Sequence, residues 1–174
     1  MPGPTLAGFN SFLTNVVGVS SEDLAANAAT AAMALAVALG IVNQALQCVA
    51  IPQTDSSGVA LNGGGVTVYN LATYNLAASN FLSYAQDPPD APIIPGSGDP
   101  GLPFFQYLRK QWGLNAFVSG VVQSTSDEGT STSLVVQEAA KNFTLANLTQ
   151  LKDPYGRQYL SLVQSYGPSV WGMS

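Results

Sequence analysis

The chain has 174 residues, of which 47% are hydrophobic and only 9% charged, with a formal net charge of −5; an ordinary soluble domain carries roughly a quarter charged residues. With no histidine and a single cysteine, Cys48, it excludes a histidine general base or triad, an internal disulfide and a Cys/His zinc cluster. The length suits one domain, residues 1–174, with a core of its own, and so little charge implies that much of the surface is hidden against other subunits.

The first predicted helix covers about 5–17, where Leu6, Phe9, Leu13, Val16 and Val17 recur at helical spacing and Gly18 closes the run. Ser20 or Ser21 then caps a second helix, with Glu22 and Asp23 in its first turn. That helix is predicted to run to about residue 50. It has no charge from Leu24 to Thr54 and is apolar on every side over Ala31 to Val42. Such a helix either enters lipid or is surrounded by protein. Alanine dominates it, Asn27, Asn43, Gln44 and Gln47 interrupt it, and no basic residue flanks it. Burial in protein is therefore the expectation, and no membrane insertion.

Ile51-Pro52 ends this helix, and a loop through Gly63-Gly64-Gly65 lacks the Gly-Lys-Ser/Thr of a phosphate loop. A third helix is predicted over about 67–86, with Leu71, Tyr74, Ala78, Phe81, Leu82 and Ala85 on one face. Residues 87–103 hold six prolines and read as a loop or arm that contacts a partner. Pro103 is placed as the first residue of a fourth helix over 104–112, with Gly113 as its stop. Short extended or β pieces are expected within 114–136, where the polar tract from Ser124 to Ser133 makes a loop or hairpin tip. A further helix is predicted over about 134–151. In the last one Asp153 is the cap, Pro154 lies in the first turn, and Tyr155, Tyr159, Leu162, Val163 and Tyr166 form the stripe. Gly167-Pro168 is read as its end, leaving a C-terminal tail at 167–174. The fold class is thus mainly α: a helical bundle with a short extended segment and long loops.

Charge is uneven along the chain. No Lys or Arg precedes Arg109, the first 108 residues carry six acids, and the remainder carries five bases against four acids. The balance speaks against sequence-specific nucleic-acid binding. It suits a head-to-tail contact between copies that closes into a ring. The N-terminus has no basic run typical of a signal peptide, so the sequons at Asn142 and Asn147 are not expected to carry glycans.

No catalytic constellation emerges. Glu22-Asp23 fits a helix N-terminus, and Asp127-Glu128 lies in the polar tract without a basic or hydroxyl partner at a telling spacing. No Gly-x-Ser-x-Gly elbow is present, and no cofactor is expected. The candidate residues are interface residues instead: Pro92 and Pro95 on the arm, Arg109 and Trp112 on the fourth helix, Arg157 and Trp171. Arg157 reads either an acidic partner surface or a local ion pair with Asp153, one turn earlier.

Three stretches carry a family resemblance: Tyr74-Asn75-Leu76-Ala77-Ala78-Ser79-Asn80-Phe81-Leu82; the helix over 104–112; and Thr144-Leu145-Ala146-Asn147-Leu148 followed by Asp153-Pro154-Tyr155-Gly156-Arg157-Gln158-Tyr159-Leu160. Their order resembles the head–tail connector or adaptor proteins of tailed bacteriophages. That resemblance implies a small helical virion protein, assembled in the host cytoplasm, that forms a ring with portal protein on one side and tail protein on the other. It brings no catalytic residues with it. The low charge departs from several members, which leaves head completion, tail terminator or minor capsid protein as alternative virion stations. A membrane-associated helical protein is the reading outside that class.

Overall fold

The computed structural model describes residues 3–51, 66–94, 101–114, 124–127, 130–133 and 150–171. The predicted helix over 134–151 (save its last two residues), the sequons, the glycine-rich loop, the extended pieces between 115 and 123, and Pro95 lie outside them.

The chain enters through α1 (Leu6–Phe12), whose N-cap Thr5 accepts from the Gly8 N–H. One turn of π-helix, Leu13–Val17, finishes it. Gly18 makes the exit possible with φ of 85°, a left-handed conformation cheap only for glycine; its N–H and that of Val19 both return to the Leu13 carbonyl. Phe9 and Leu13 point inward, whereas Leu6 and Val16 of the same stripe are exposed.

The predicted helix over 21–50 is three pieces: α2 (Ser21–Ala26), α3 (Ala28–Ile41) and a 3-10 segment, Gln44–Cys48. Ser20 caps α2, accepting from the Asp23 N–H at 3.0 Å and donating to its carboxylate at 2.7 Å. Asn27 makes the first break. Its amide donates to the Gln86 carbonyl at 2.8 Å and accepts from the Gln86 N–H at 2.8 Å, so a residue 59 positions away outbids helix continuity. At the second break the Asn43 side chain accepts from the Ala45 N–H at 2.9 Å. Ala50–Ile51 (β1) then pairs antiparallel with Val66–Thr67 (β2), where helix end and loop were expected.

Among the described residues the most enclosed helix is α4 (Val68–Tyr84). Eleven of its 17 residues are buried, on nearly every side. It lies between α3 and the last helix, α6 (Pro154–Trp171), and also meets α5 (Phe104–Gln111). The Asn27–Gln86 bonds at one end and the Val68 N–H to Val49 carbonyl bond at the other make α3 and α4 antiparallel. α3 turns Ala31, Ala34, Leu35 and Ala38 to the core but leaves Met33, Val37, Leu39 and Ile41 exposed. Among the described residues its burial is therefore one-sided.

Pro103 is the N-cap of α5, not its first helical residue, with extended backbone at ψ 169°. A hairpin of β3 (Ser124–Asp127) and β4 (Thr130–Ser133) occupies the polar tract. α6 continues through Gly167-Pro168 to Trp171, so residues 167–171 are helix and not tail. Proline removes one backbone bond and crowds the preceding turn, yet helices run on past it with a kink. The fold is mainly α with two short two-stranded ribbons among the described residues.

Candidate functional site

Three joints hold the bundle, and two of them use residues that the sequence offered for other roles. The first joins α4 to α5. Asp87, just after α4, accepts from the N–H groups of Phe105 and Gln106 at 2.8 and 3.1 Å, capping α5. Arg109, in the last turn of α5, reaches back to donate to the Leu82 carbonyl at 2.9 Å and to the Ala85 carbonyl. Each helix thus supplies the charge that the other's end favours. Burial lowers the pKa of Arg109 from its usual value, and the nearby Asp87 carboxylate offsets part of this. As a candidate interface residue, Arg109 is half-buried and engaged inside its own chain.

The second joint fixes α6 on α4. Asp153 is 1% exposed. Its carboxylate accepts from the Ser79 hydroxyl at 2.7 Å and from the Gly156 N–H at 2.8 Å, which serves as the N-cap of α6. Burial raises its pKa; the bonds from Gly156, Ser79 and Tyr155 pull it part of the way back. Arg157 does not pair with it as one alternative held. Only the backbone N–H of Arg157 bonds the Asp153 carbonyl, at 3.2 Å, and the Arg157 side chain is exposed. Gly156 is required here because a Cβ would overlap the Gln150 carbonyl.

The third joint is a chain of rings. Phe9 stacks on Tyr74 at 6.0 Å, and Tyr74 meets Phe12 at 5.9 Å. Phe12 and then Trp112 each meet Tyr155 edge-on at 6.3 Å. Trp112 is therefore half-buried within the chain and not presented outward.

The sequence candidates do not converge on one place. Pro92 is exposed on the arm, beside Ile93 at 61% exposure. The arm's two described ends are pinned by a bridge in which the Ile94 N–H donates to the Leu102 carbonyl at 3.0 Å. Trp171 lies on the helical backbone of α6. An open hollow of about 430 Å³ lies where α2 and α3 meet the end of α4, lined by Asn27, Thr30, Tyr84 and Asp87 among others. Asn27 and Asp87 are already bonded as described, so the hollow presents no free acid–base pair.

The outer side of α3 is not among the sequence candidates. Its signal is present, a helix apolar all round, and reads as burial in protein; Met33, Val37 and Ile41 on it are exposed among the described residues. No helix among the described residues is long and apolar enough to cross a membrane. No protein-family model matches the chain, and neither does any curated protein or solved structure.

Proposed function

We propose that the chain is a structural virion protein, not an enzyme: a head-to-tail adaptor whose copies form a ring between portal and tail. The observation that carries the assembly part is the exposed apolar side of α3, in a chain with charged residues at 9%. A monomer with so little charge and a bare apolar helix gains by covering it. The adaptor station itself rests on the resemblance of 74–82, 104–112, 144–148 and 153–160 to tailed-phage connectors. Head completion, tail terminator and minor capsid roles would use the same assembly chemistry.

The test is electron microscopy of the purified chain mixed with portal rings. A collar of added density with touching copies is expected. Bare portal rings would remove the adaptor reading, and copies bound without touching would remove the ring. Deleting residues 90–99 should leave helical circular dichroism intact and weaken collar formation. Unchanged assembly would reduce the arm to a linker.

A further inference from the structure

We draw no further inference here: the strongest candidate, the exposed apolar side of α3 at Met33, Val37 and Ile41, is an unpartnered face, and nothing among the described residues shows what covers it.

Discussion

Replacing Asp153 separates its two contributions, the cap on α6 and the buried charge. In Asp153→Ala, α6 loses its N-cap acceptor, at about 1 kcal/mol. The Ser79 hydroxyl, 4% exposed, loses the partner at 2.7 Å, at about 1–3 kcal/mol for a buried group left unpaired. Relief from burying a carboxylate offsets part of this, so the net loss should be about 1–3 kcal/mol. In a chain of this length that lowers the melting temperature by roughly 2–12 °C. Asp153→Asn keeps an acceptor for Gly156 and a group for Ser79, and should stay within about 1 kcal/mol of wild type. The pH dependence has a definite sign. Burial raises the folded carboxyl's pKa, so the folded chain holds this proton to higher pH than the unfolded chain. The associated stability is fully present below the ordinary carboxylate value of about 4 and is lost as pH rises through the raised one. Urea unfolding followed by circular dichroism, at a few micromolar to keep copies apart, should show wild type losing ground to Asp153→Asn as pH climbs from about 4, then running parallel. Wild type gaining on Asp153→Asn over that climb would refute the assignment of burial as the dominant influence.

Gly156→Ala should cost about 2–4 kcal/mol, because its Cβ meets the Gln150 backbone, which cannot swing aside as a side chain does; thermal melting checks it. Arg109→Ala should cost about 1–3 kcal/mol by exposing two orphaned carbonyls at the end of α4. Arg109→Lys should recover only part of that, since one ammonium does not reproduce the fork. Thr73→Val should stabilise by about 1 kcal/mol in urea unfolding, because the Thr73 hydroxyl is buried without a hydrogen-bond partner among the described residues.

Local signals made much of the bundle legible. The Ser20 cap with acids behind it, the Gly18 exit and the Asp153-Pro154 start of α6 all act within one turn of sequence. The run from 21 to 50 failed for a physical reason. Where every position is apolar, there is no periodicity to show which side faces inward or where the helix stops. Asn27 and Asn43 were visible as interruptions of the apolar stretch, but only the long-range Gln86 partner turns Asn27 into a break. The two-residue strands β1 and β2 are too short to leave a pattern. Arg109 and Trp112 looked like surface candidates because a sequence does not show the helix end or the ring that each one meets. Pro168 was read as a stop, although proline can also kink a helix that continues.

The ring chain from Phe9 through Tyr155 to Trp112 joins the first helix to the last, with the Tyr155 hydroxyl donating to the Val16 carbonyl 139 positions earlier at 3.5 Å. During synthesis α1, α3 and α4 emerge before α6, so one flank of α4 waits open until residues 154–171 follow. Trp112 meets Tyr155 at that junction, so once Trp171, the other tryptophan, is replaced by Phe, its emission reports the docking of α6.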